Sequence, residues 1–259
     1  MGITRRYGNA PFTIAVIHGG PGAPGEMAPV ARELSSLWGV LEPLQTATSL
    51  EGQLQELLEG LKEHGQLPVT LIGHSWGAWL GYIFAAYHPL LVKKLLLIGS
   101  GPFEEKYASR IMETRLSRLS EKERVRVHDV WEALHDPNVK DRNAILANFG
   151  KLMFKTDSFA PVHFREEIEY RYDVFLSVWE EAKELRRSGK LLELGKQIQC
   201  PVVAIHGDYD PHPYEGVEKP LSQVIKDFQF ILLKKCGHYP WVEREAKDTF
   251  YEILKEELR

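Results

Sequence analysis

Short apolar runs and longer amphipathic stretches alternate through the first hundred or so residues, the pattern of a parallel sheet with crossover helices. Phe12 to Ile17, Gly39 to Glu42, Val69 to Ile72 and Lys94 to Ile98 are the expected strands. Between them, Leu54, Leu57, Leu58 and Leu61 recur at helical spacing within Leu50 to Glu63, and Thr48-Ser49-Leu50-Glu51 has the form of a capping box. Trp76 to Tyr87 predicts a second helix, stopped by Pro89.

Past Ser100-Gly101-Pro102 the pattern changes. Phe103 to about Gly195 is charged, helix-favouring and nearly free of strand signals. It is expected to be a helical cap, residues 103–195, inserted into a core made of residues 1–102 and 196–259. Within it, Ser120-Glu121-Lys122-Glu123 predicts a capped helix reaching about Leu134, and Arg165 to Arg187 reads as one long or two shorter helices. Tyr170, Tyr172, Phe175 and Trp179 are assigned to the cap's own packing, with pocket lining as the alternative. Strands return at Pro201 to Ile205 and Phe230 to Leu233, and helices at Tyr214 to Lys226 and Val242 to Leu258. The fold class is therefore α/β, a mostly parallel sheet flanked by helices with an inserted helical cap.

Composition narrows the function. The 259 residues suffice for one large core, and the net charge of -4 comes without long single-sign blocks, which disfavours nucleic acid or an anionic membrane as partner. No apolar run has signal-peptide or membrane-span length, and Cys200 and Cys236 have neither metal nor disulfide-framework spacing. A soluble, cytoplasmic protein with reduced cysteines is expected.

The chemistry concentrates at strand ends. Gly73-His74-Ser75-Trp76-Gly77 has the G-x-S-x-G form and lies between an expected strand and an expected helix, where small flanking residues let a nucleophilic serine sit on a sharp turn. His18-Gly19-Gly20-Pro21-Gly22 follows the first core strand, and its amides suit an oxyanion hole. The two donors are taken as the N–H of Trp76 and that of Gly20. A phosphate-cradling loop is disfavoured, because no G-x-x-x-x-G-K-[ST] occurs and Pro21 removes a donor.

A serine hydroxyl needs a base, and the base needs an orienting carboxylate. Asp208 and Asp210 both follow the Pro201 to Ile205 strand, and Cys236-Gly237-His238 follows the last one. Serine, acid, histidine is the chain order of this arrangement, so His238 is the base. Among the other histidines, His64, His88, His128, His135 and His163 have no motif around them; His18, His74 and His206 sit at strand ends and shape loops, and His212 is a candidate for the site entrance. No cofactor and no metal site is expected.

On these motifs the sequence resembles the α/β-hydrolase superfamily over essentially its whole length. His18-Gly19-Gly20-Pro21-Gly22 with Gly73-His74-Ser75-Trp76-Gly77 is most similar to its proline iminopeptidase branch, which removes N-terminal proline from peptides. That resemblance implies Ser75 as nucleophile, Asp210 as acid, because it is the second aspartate of Gly207-Asp208-Tyr209-Asp210 before Pro211, and His238 as base. The branch's Asp-x-Arg-Gly-x-Gly-x-Ser is replaced here by Leu41-Glu42-Pro43-Leu44-Gln45-Thr46-Ala47-Thr48, and its N-terminal strands are expected to be missing. An amine-gripping cap glutamate would come from Glu104, Glu105, Glu166, Glu167 or Glu169. The expected activity is a cofactor-independent serine hydrolase for an ester or amide of a small molecule or short peptide, with an aminopeptidase or a non-catalytic binding protein of the same fold as alternatives.

Overall fold

The computed structural model describes residues 2–136, 138–162 and 168–259. In chain order its elements are β1 (Ile3–Tyr7), β2 (Phe12–Ile17), α1 (Ala28–Leu34), β3 (Gly39–Leu44), α2 (Leu50–His64), β4 (Val69–His74), α3 (Trp76–Tyr87) and β5 (Val92–Ile98). Four helices follow, α4 (Glu105–Ser117), α5 (Glu121–His135), α6 (Arg142–Asp157) and α7 (Tyr172–Arg187), then the short α8 (Lys190–Glu193). The chain ends with β6 (Val202–Gly207), α9 (Glu215–Val224), β7 (Phe228–Leu233) and α10 (Lys247–Glu257).

The strands make one sheet in the order β1-β3-β2-β4-β5-β6-β7, parallel except for β1, which runs antiparallel to β3. Strand β2 therefore has β3 on one side and β4 on the other. The chain reverses its direction of winding there, and the loops after β2 and β4 part to leave the crevice in which ligands of open α/β sheets bind.

Alternation along each strand splits the core in two, since successive side chains point to opposite faces. Ala15, Ile17, Leu71, Leu95, Leu97 and Ala204 face α2, α3 and α7, whereas Ile14, Val16, Ile72, Leu96, Ile98 and Val203 face α1 and α10. Full burial on both faces explains why β4 and β6 read as continuous apolar runs. Burying one leucine-sized side chain contributes roughly 1.5–3 kcal/mol, so these two layers carry most of the sheet's stability.

The structure corrects several expectations. An N-terminal strand is present, since β1 pairs through Ile3↔Leu44 to Tyr7↔Val40 at the sheet edge. The cap of α2 is Ser49, whose side chain accepts from Gly52 N at 3.1 Å, and a glycine there offers no reciprocal partner for the box expected from Thr48. The box at Ser120 forms as expected, with Glu123 returning the bond. Within the span expected to be helical from Arg165 to Arg187, α7 covers Tyr172–Arg187, and residues 163–167, including His163, Glu166 and Glu167, lie outside the described residues. A short turn at Pro240–Val242 precedes α10, which starts at Lys247, not Val242. No helix among the described residues is long and apolar enough to cross a membrane.

Candidate active site

Strand β4 turns into α3 at Ser75, whose φ of 51° and ψ of -110° are forbidden ground for most L-residues. The turn is held by Ser75 N donating to Ile98 O at 2.9 Å. Its flanking glycines are required by space. A Cβ on Gly73 would come within 2.1 Å of Gly77 O, and one on Gly77 within 2.3 Å of Ile17 O. The side chain of Trp76 is buried, its Nε1 donating to Gln53 Oε1 at 3.0 Å, so the first turn of α3 is fixed beside the cavity that Ser75 and Trp76 line.

Asp210 and His238 meet from the loops after β6 and β7. His238 Nδ1 lies 2.6 Å from Asp210 Oδ2, and both side chains are almost wholly buried. Asp208 does not join them; its Oδ1 accepts from Cys236 N at 3.3 Å. Burial opposes the charge on both partners, yet attraction wins. Asp210 is held well below the usual carboxylate range by the imidazoles of His238, His212 and His206, and His238 is held above the usual imidazole value by Asp210. Gly99 leaves room for the pair, because a Cβ there would stand 2.9 Å from His238 O and 3.1 Å from His238 Nδ1.

Glu26, to which no motif pointed, ties this centre together. Its Oε2 accepts from Gly19 N at 2.6 Å and lies 2.8 Å from His74 Nδ1, while His74 Nε2 is 2.9 Å from His238 O. Burial pushes the Glu26 carboxyl up, but His74 and the Gly19 amide outweigh it and hold it below its ordinary value. One carboxylate and one imidazole thus join the loop after β2, the turn at Ser75 and the loop of His238. His74 is more than a loop-shaping residue.

These groups share a cavity of about 850 Å³, lined by Gly20, Ser75, Trp76 and His238 on the sheet side and by α6 and α7 on the other. Tyr170, Phe175 and Trp179 line it, against their assignment to the helices' own packing, although each also packs against an apolar cluster. Tyr172 alone of the four is confined to that packing. His212, expected near the site entrance, lines the cavity with its ring packed against Asp210 and His238. The helices are fastened to the base: His238 N donates to Asp157 O at 2.7 Å, and Arg115 grips the Asp157 carboxylate through Nε at 2.8 Å and Nη2 at 2.5 Å.

Asp210, His212 and His238 form the one cluster of metal-ligand type among the described residues, with ligand atoms within 4.8 Å. Their hydrogen bonds to one another already engage those atoms. Cys200 and Cys236 are buried and not joined to each other.

Residues 16–251 match the sequence model described as the alpha/beta hydrolase family, and the chain belongs to that family. It is an α/β hydrolase. The match carries the superfamily and does not reach the proline iminopeptidase branch. No curated protein sequence matches the chain. Among solved structures, VinJ aligns with a TM-score of 0.69 at 20% identity, covering 98% of this chain and 93% of that one. The enol-lactonase from Burkholderia xenovorans LB400 aligns with a TM-score of 0.62 at 18% identity, over 99% and 96% of the two chains. The monoacylglycerol lipase of Paleococcus ferrophilus aligns with a TM-score of 0.63 at 14% identity, over 100% and 98%. At these identities the likeness concerns the fold.

Proposed function

We propose that this α/β hydrolase is a cofactor-independent serine hydrolase that cleaves an ester or amide of a small molecule or short peptide through an acyl-enzyme. The observation that carries the reading is the 2.6 Å contact of His238 Nδ1 with Asp210, in the same cavity wall as a serine on a strained strand-to-helix turn. Ser75 Oγ attacks the carbonyl carbon while His238 Nε2 takes its proton. Asp210 fixes the tautomer that leaves Nε2 free and stabilises the imidazolium that forms. The amides of Trp76 and Gly20 hold the oxyanion. His238 then protonates the leaving group, and water attacks the acyl-Ser75 with His238 again as base. Every group these steps need belongs to this chain.

Residues 103–195 serve in this reading as a cap over the core of 1–102 and 196–259. Phe149, Met153, Phe154, Phe175 and Trp179 give its share of the cavity wall an apolar stretch beside Arg115, Lys151 and Asp157, and that stretch suits an uncharged acyl group. The test is an active-site-directed fluorophosphonate. It labels Ser75 in the folded protein, and Ser75→Ala abolishes both labelling and turnover of p-nitrophenyl acyl esters; retained turnover in that variant refutes the assignment.

Glu26 favours a second reading, a proline iminopeptidase-like aminopeptidase. Its carboxylate lines the cavity beside Gly20, and Oε1 accepts no hydrogen bond from the described residues. Of the expected glutamates, Glu104 pairs with Lys106 and Glu105 with Arg186, and Glu166 and Glu167 lie outside the described residues. A prolyl amide of a fluorophore discriminates: this reading requires release that is lost when the amine is acetylated.

A further inference from the structure

Asp210 holds two imidazoles, not one. While Oδ2 meets His238, Oδ1 meets His212 Nδ1 at 2.7 Å and accepts from His212 N at 2.9 Å. The two rings stack, with centroids 4.4 Å apart and planes 26° from parallel. His212 is itself held from behind, since its carbonyl lies 2.9 Å from His206 Nε2, and an acceptor there makes that nitrogen the donor.

From this geometry we infer that His212 is a positioning residue for the base: it locks the Asp210 carboxylate in the rotation that serves His238. This rests on the serine hydrolase reading for its catalytic consequence. One amide bond at Oδ1 and one imidazole at Oδ2 let a buried carboxylate rock about its Cβ–Cγ bond; the His212 Nδ1 bond, a second at Oδ1, holds Asp210 in one orientation. His212 is suited to this because it stays neutral. The groups facing it are Asp210, His238, His206 and Arg115, and burial together with the nearby cations outweighs Asp210 and pushes its pKa down to about 4. A neutral His212 donates from Nδ1 and does not compete with His238 for the charge on Asp210.

Asn and Gln separate this role from mere packing. The amide nitrogen of Asn stands where Nδ1 of histidine does, whereas that of Gln reaches past it. His212→Gln should lower kcat by about 30-fold, the worth of one hydrogen bond to a buried charge, with KM nearly unchanged, and His212→Asn should recover to within about 3-fold of the parent. The acid limb of the kcat/KM profile should move to lower pH in His212→Gln, because a loosened Asp210 raises His238 less, and should stay in place in His212→Asn. A readout independent of turnover is the far-downfield Nδ1 proton of His238 by NMR, retained in His212→Asn and shifted or lost in His212→Gln. If that resonance and the acid limb are the same in both variants, His212 does not position Asp210. This judgement stands whether or not Ser75→Ala is inactive, so failure of the nucleophile assignment is read separately.

Discussion

Glu26 Oε2 sits 2.8 Å from His74 Nδ1 in a pocket from which water is almost excluded, and the far nitrogen of the same ring meets the backbone oxygen of His238. The ring of His74 thus bridges a carboxylate on the loop after β2 and a carbonyl on the loop after β7.

Replacing Glu26 by glutamine leaves His74 facing an uncharged amide in a buried site. Breaking one partner of a buried pair costs about 3–5 kcal/mol, so Glu26→Gln should lower unfolding stability by that order, measured by urea titration. The carboxyl is held below its ordinary value in the folded protein, so its stabilisation is complete above the unfolded value of about 4.3 and is lost as pH falls through the folded one. The difference between parent and variant should therefore shrink below about pH 4. A pH-independent difference would remove the charge from the explanation.

The strain at Ser75 makes a prediction about stability apart from activity. Glycine enters positive φ without the steric cost that serine or alanine bears, of order 1–3 kcal/mol. Ser75→Gly should be as inactive as Ser75→Ala, with kcat down by roughly 10⁴-fold or more, yet about 1 kcal/mol more stable than Ser75→Ala. Equal unfolding midpoints for the two variants would show an unstrained turn.

In the proposed mechanism His238 must be neutral before it takes the serine proton. Burial lowers its pKa and Asp210 raises it by more, so kcat/KM should rise with pH through a midpoint above about 6.5. Asp210→Asn should cut kcat by about 10⁴-fold and shift that midpoint down. Asp208→Asn should change kcat by less than about 3-fold, because Asp208 bonds the Cys236 amide. A larger loss in the Asp208 variant would reverse the assignment.

Trp179 stacks on Trp79, with centroids 6.0 Å apart, and borders the cavity. Trp179→Ala enlarges the cavity at that wall and should move the preferred chain length in a p-nitrophenyl ester series upward by about two to four methylenes, at about 0.8 kcal/mol for each one newly buried. An unchanged length profile would place the acyl group elsewhere.

How much of this was legible in the sequence depended on what each residue has for neighbours along the chain. The buried parallel strands announce themselves, since every position in β4 is covered on both faces. Ser75 and Asp210 follow such strands, and His238 follows the edge strand β7, where the turn residues mark them. Strand β1 was missed because Ile3-Thr4-Arg5-Arg6-Tyr7 is short, charged and half solvated at the edge, and its partner β3 lies more than thirty residues away. Glu26 was missed for a related reason: its partners Gly19 and His74 come together by the packing of α1 against the sheet, which no local spacing records. Tyr170, Phe175 and Trp179 have a helix-core periodicity that fits cavity lining equally well, and the choice is made by tertiary packing.

Helix α6 enters the cavity wall at Leu146 and ends at Asp157, where its last carbonyl receives the amide of His238. The two points are separated by about 16 Å of helix, at 1.5 Å per residue. Substitutions in the first half reshape what the pocket admits and leave His238 alone, whereas substitutions in the last turn reach the loop of His238 directly. A lineage exploring new substrates has a region of α6 in which drift is cheap and another in which it is punished, and the same gradient tells an engineer which end of the helix to randomise.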